Sequence, residues 1–129
     1  MIYVYMDSKG CPFSDWMAMA KKKDPSAYRK MLSVLSQMED GTLPMVRPNV
    51  KKTPSQRTGH HHLYKLRLGK YRLFFEWRDH DYYLLHLFRK SSNATPDKEF
   101  RVVKKEMEKQ QYEKLNNLKE YEEWQSSLI

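Results

Sequence analysis

The stretch His62-Leu-Tyr-Lys-Leu-Arg-Leu-Gly-Lys-Tyr-Arg-Leu-Phe-Phe-Glu-Trp77 holds two alternating runs on either side of Gly69-Lys70. Glycine first in a two-residue loop suits a type II′ hairpin turn, because its φ must be positive there. That turn sets a register in which Leu68 faces Tyr71, Arg67 faces Arg72, Leu66 faces Leu73 and Lys65 faces Phe74. Side chains alternate between the faces of a strand, so Tyr64, Leu66, Leu68, Tyr71, Leu73 and Phe75 share an apolar face. Lys65, Arg67 and Arg72 emerge together on the other. Two arginines directly opposite one another repel. Either they splay into solvent or pair with a carboxylate such as Glu76, or they form a clamp for phosphate, whose oxygens match forked guanidinium groups. The third cation on the same face favours the clamp.

The hairpin is one piece of an α+β pattern. Ile2-Tyr-Val-Tyr-Met6 is β-branched and aromatic and reads as a strand. Ser14 is placed to cap a short helix ending near Lys23. Asp24 and Pro25 mark the start of a second helix, whose stripe Tyr28, Met31, Leu32, Leu35 and Met38 runs to Gly41. A long loop from Thr42 to about His60 is broken by Pro44, Pro48 and Pro54, and loops of this length are often functional. After a turn at Arg78-Asp-His-Asp81, the nearly continuous apolar run Tyr82–Phe88 fits a central strand covered on both faces. Its one histidine, His86, reads as a satisfied core group. Thr95 and Pro96 predict the start of a last helix carrying Phe100, Val103 and Met107. The expected architecture is two N-terminal helices and a C-terminal helix packed on a small antiparallel sheet. Residues 1–110 would make the domain and 111–129 a C-terminal helical extension, anchored by Leu115, Leu118, Tyr121 and Trp124.

The chain has 129 residues and a formal charge of +8, and the distribution of that charge is uneven. Residues 47–72 contain Arg47, Lys51, Lys52, Arg57, Lys65, Arg67, Lys70 and Arg72 and no acid. Removing those eight from the 24 Lys and Arg leaves 16, equal to the 16 Asp and Glu. The whole excess therefore sits in one segment, which points to an anionic partner. The single cysteine, Cys11, excludes an intrachain disulfide and fits a reducing compartment. No apolar run approaches the roughly 20 residues that span a bilayer, and Met1–Met6 is too short for a signal peptide. A cytoplasmic location and no membrane partner are expected.

The order β-α-α-β-β-β-α, with Leu63-Tyr64-Lys65-Leu66-Arg67, Tyr71-Arg72 and Leu85-His86-Leu87-Phe88-Arg89-Lys90 leading to Thr95-Pro96, resembles the RelE/ParE toxin superfamily. The likeness is to its HigB-like, phage-associated branch and covers about residues 1–110. The resemblance implies a toxin of a type II toxin–antitoxin pair that cleaves mRNA without a metal or cofactor, commonly on the ribosome. It also implies a small antitoxin partner, often with a helix-turn-helix fold. Binding without cleavage remains the alternative, either as a ParE-like inhibitor of DNA gyrase or as a non-catalytic nucleic-acid binder.

Metal-free cleavage uses the ribose 2′-oxygen to attack the adjacent phosphorus. It needs a base, cations for the charge gathering on the phosphorane, and an acid for the leaving 5′-oxygen. Arg67 and Arg72 suit the charge, and Lys65 suits the base if neighbouring cations lower its pKa. Lys90 and Arg89 lie where the family places further phosphate-binding or acid groups. Members near RelE carry a tyrosine early in the last helix, where this chain has Phe100, so the acid is open; His60, His61 or His62 are alternatives. Consecutive histidines in a strand point to alternate faces and make a poor metal site. RNA contacts are expected from Arg47, Lys51, Lys52, Arg57, His62, Lys70 and Arg89.

Overall fold

In the computed structural model, which describes residues 1–127, the hairpin forms in the expected register. Strand β3 (Leu63–Leu68) pairs with β4 (Tyr71–Arg78) so that Leu66 opposes Leu73 and Arg67 opposes Arg72. Gly69 has φ +60° and Lys70 is not in the left-handed region, as a II′ turn requires. The next turn, Asp79-His80, takes positive φ at both residues (52° and 65°). It delivers the chain into β5 (Asp81–Arg89), which pairs with β4 on one side and with the first strand, β1 (Ile2–Tyr5), on the other.

The sheet has six strands. Strand β2 (Val50–Lys52) lies on one edge and β6 (Tyr112–Lys114) on the other, in the order β2-β3-β4-β5-β1-β6. All pairs are antiparallel except β1 with β5. The loop around Pro48 and Pro54 thus carries an ordered strand within it. The segment expected as a helical extension opens instead with β6, followed by a 3-10 turn at Leu115–Asn117 and only six residues of helix, α4 (Tyr121–Ser126).

The faces of the sheet are covered unequally. Helices α1 (Pro12–Lys23) and α2 (Pro25–Asp40) lie on the face of Leu66, Leu68, Leu73 and Phe75. The fully buried Phe13, Met17, Met31 and Leu35 fill the space between. Asp24 caps α2 through the Ala27 N–H at 3.2 Å, and Gly41 closes it with φ +71°. Ser14 does not cap α1. Cys11 holds that position with no side-chain bond, and the Ser14 hydroxyl reaches Glu120 at 3.3 Å. The opposite face is covered by α3 (Asp97–Lys109), which packs Phe100, Val103 and Met107 on Tyr5, Leu63, Phe74, Leu85 and Phe88. Among the described residues, no helix is long and apolar enough to cross a membrane.

A candidate active-site cleft beneath the last helix

Helix α3 covers only part of its face, because the hairpin end of β3 and β4 projects beyond it. Phe74 and Phe88 end the apolar packing there, and Lys65, Arg67 and Arg72 follow. The loop Ser91–Pro96, between β5 and α3, folds back over this row. It closes a cleft of about 220 Å³ lined by Lys51, Thr53, Pro54, Arg57, Lys65, Asn93, Ala94, Thr95 and Phe100. A narrower recess of about 40 Å³ lies alongside, between Lys65, Arg72, Phe88, Lys90 and the same loop. The two share Lys65, Asn93, Ala94 and Thr95, so the Lys65 amine stands at their junction.

Lys65 is half-buried, and its Nζ donates to Thr95 Oγ1 at 2.7 Å. That contact corrects the reading of Thr95 as a helix cap: Pro96 occupies the cap position and α3 begins at Asp97. Burial, followed by the charges of Lys51, Arg72 and Lys90, holds the Lys65 pKa below the usual lysine value. Lys51 stands directly opposite Lys65 across the β2–β3 ladder.

Arg72 is the most enclosed of these cations, 8% exposed. Its Nη1 donates to the carbonyls of Gly69 (2.7 Å) and Tyr71 (2.8 Å), so the hairpin turn braces one side of the guanidinium. Neither bond uses Nε or Nη2. Burial and the neighbouring Arg67 lower its pKa, though a guanidinium stays charged at any working pH. Glu76 does not neutralise it. That carboxylate lies at the far end of β4 and meets Arg78 Nε at 3.4 Å.

The remaining expected contacts divide between the two faces. Arg57 lines the cleft mouth, where it pairs with Asp97 and stacks 4.4 Å over Phe100. Lys52 opposes Tyr64 and Arg89 opposes Tyr71, so both belong to the other face. His62 lines a hollow on that other face with Lys52, and Lys70 lies 3.8 Å from Asp24 at the start of α2. Arg47 is exposed in the loop before β2. None of His60, His61 and His62 lines the cleft. His86 bonds Glu99 at 3.0 Å, brought to the α3 side by a β-bulge that puts both Leu85 and His86 opposite Phe74. Among the described residues, no group of three metal-ligating side chains comes together. Thr53, Asn93 and Thr95 carry no sequence signal for this cleft, because the sequence does not show where their loops fold.

The fold and cleft define a small α+β protein whose cations converge beneath the loop leading into α3. Residues 18–108 match the model of the family described as Phage derived protein Gp49-like (DUF891). The chain belongs to this phage-derived family. Two solved structures from Staphylococcus aureus are similar to it in part. One is described as a YoeB–YefM complex, with 13% identity, 71% of this chain and 97% of that chain covered, and a TM-score of 0.47. The other is a heterotetrameric YoeB–YefM toxin–antitoxin complex, with 15% identity, coverage of 71% and 95%, and a TM-score of 0.47. No curated protein matches significantly.

Proposed function

We propose that the chain is the toxin of a type II toxin–antitoxin pair, of HigB-like character, and a metal-independent endoribonuclease acting on mRNA at the ribosome in the cytoplasm. Its partner would be a small antitoxin. The observation that carries the reading is the half-buried Lys65 amine, its pKa lowered, held on Thr95 among Lys51, Arg72 and Lys90. A lysine whose only duty is to hold a phosphate gains nothing from burial among like charges. A lysine that must accept a proton does.

In this reading Lys65, as the free amine, takes the proton of a ribose 2′-OH. The 2′-oxygen forms its bond to phosphorus, and Arg72 and Arg67 meet the charge that gathers on the phosphorane oxygens. The P–O5′ bond breaks, and the leaving oxygen takes a proton from the Lys90 ammonium. The products are a 2′,3′-cyclic phosphate and a 5′-hydroxyl. Lys51 and Arg57 hold the neighbouring phosphates.

Expression of the protein should arrest growth and shorten mRNA. Cleavage by the purified protein, with ribosomes present, should persist in EDTA and leave those ends. Arg72→Ala should lower the rate by on the order of 10²–10³ while weakening binding far less. Poisoning of DNA gyrase with intact mRNA would replace this reading with the ParE-like one. RNA binding with neither activity would leave a non-catalytic binder.

A further inference from the structure

Lys52, His62 and His80 are exposed basic groups that the cleft does not use, and the structure gathers these three elsewhere. They surround a hollow of about 410 Å³ on the opposite face of the sheet, beyond the reach of α1 and α2, whose floor is Tyr64 and Trp77. Both rings are half-buried, with centroids 5.9 Å apart and nearly edge-on. Across the ladder, Trp77 lies beside the near-parallel Tyr82 at 6.3 Å, and Tyr64 beside Phe75 at 5.8 Å. Both rings are therefore held from the side by neighbours across the ladder, and the hollow above them is open.

Edge strand β2 connects this hollow to the cleft. Lys51 opposes Lys65 on the cleft face, and the next residue, Lys52, opposes Tyr64 on the other. Thr53 N–H bonds inward to Leu63. The alternation of an antiparallel ladder therefore turns the Lys52 N–H outward, off the sheet edge. A phosphodiester chain crossing that edge meets two ammonium groups in succession and a backbone donor between them.

We propose that the Tyr64–Trp77 platform is a nucleobase-stacking subsite for the single-stranded RNA that enters the cleft. The strand passes over β2 from Lys51 to Lys52. The inference rests on the RNA reading of the cleft and adds to it a second face. Stacking suits any base, since each has a π-face. Asp79, the one carboxylate at the rim, is placed to accept from a base N–H rather than to meet phosphate.

The test uses fluorescence, because Trp16 and Trp124 are buried and Trp77 is the half-exposed tryptophan. The probe is a short 2′-O-methyl single-stranded oligoribonucleotide, which binds without offering a nucleophile. It should quench the emission of the wild-type protein but not of Trp77→Phe. Trp77→Leu should bind roughly tenfold more weakly, as loss of one stacked base predicts, with Trp77→Phe restoring most of the affinity. Lys52→Glu, an exposed change that leaves the platform intact, should weaken binding as well. Tight, unquenched binding that the cleft-mouth variant Arg57→Ala reduces would overturn the platform and leave the cleft reading standing. Binding insensitive to Arg57→Ala would count against the cleft reading instead. Quenching of Trp77 only by a co-purified antitoxin, and not by the probe, would reassign the surface to a protein partner.

Discussion

Lys65 shows how one residue's chemistry is set by neighbours that the sequence keeps apart. Its pKa is lowered first by burial and then by Lys51, Arg72 and Lys90, which come from β2, β4 and the end of β5. Each neighbouring charge disfavours the ammonium, so removing one should return the pKa towards the usual lysine value. Lys51→Ala is the cleanest case, since Lys51 belongs to the edge strand and braces nothing. If Lys65 is the base, the rising limb of the pH–rate profile should move to higher pH in this variant, with the high-pH plateau least affected. A profile that drops uniformly at all pH values would make Lys51 a binding group only. That Lys65, Arg67 and Arg72 share one face of the hairpin was legible in the sequence, because a two-residue turn fixes the register. The partner of Lys65 was not. Thr95 before proline reads as a helix cap, and nothing local shows that its hydroxyl serves a side chain 30 residues earlier.

At the scale of elements, the hairpin carries the site, and its turn carries the hairpin. A Cβ at Gly69 would meet nothing within 4 Å, so the cost of Gly69→Ala is backbone strain alone. At φ +60° that strain is about 1 kcal/mol. Urea denaturation should show a loss of this size. Activity should fall further than stability, because Arg72 is braced on the Gly69 carbonyl. Helix α2 and the hairpin were readable because their signals are local, in the cap, the stripe and the turn. Strands β2 and β6 were not, since each has three residues and is rich in lysine or glutamate. Their strand character comes from the edge they pair with. The same gap hid the sorting of Lys51 from Lys52 and the turning of Arg89 away from the cleft, because both depend on registers between distant segments.

Across the whole molecule, α3 joins the cleft at its start to a buried acid near its end. Glu106 is 8% exposed, and burial, reinforced by Asp7, pushes its pKa from 4.5 up to about 7. The folded pKa is therefore above the unfolded one. The carboxyl is neutral in both states at acid pH, and its ionisation in the folded protein opposes folding as the pH rises from about 4.5 through about 7. Glu106→Gln should remove that dependence and leave the variant more stable at pH 8, by an amount on the order of a few kcal/mol. Thermal melts at several pH values would reveal it, and wild-type and variant curves that run parallel would exclude it.

The placement of β1 between β5 and β6 has a temporal consequence. Residues 2–5 must wait for residues 82–84 before one edge of their strand is paired, and for residues 112–114 before the other is. Closing such long loops is slow relative to forming a local hairpin. A chain stopped after Gln111 should keep much of its secondary structure but present β1 as an open edge, and light scattering should report its self-association. Strand β6 is in this sense a closing stitch. Until it is made, the protein is vulnerable to its own copies.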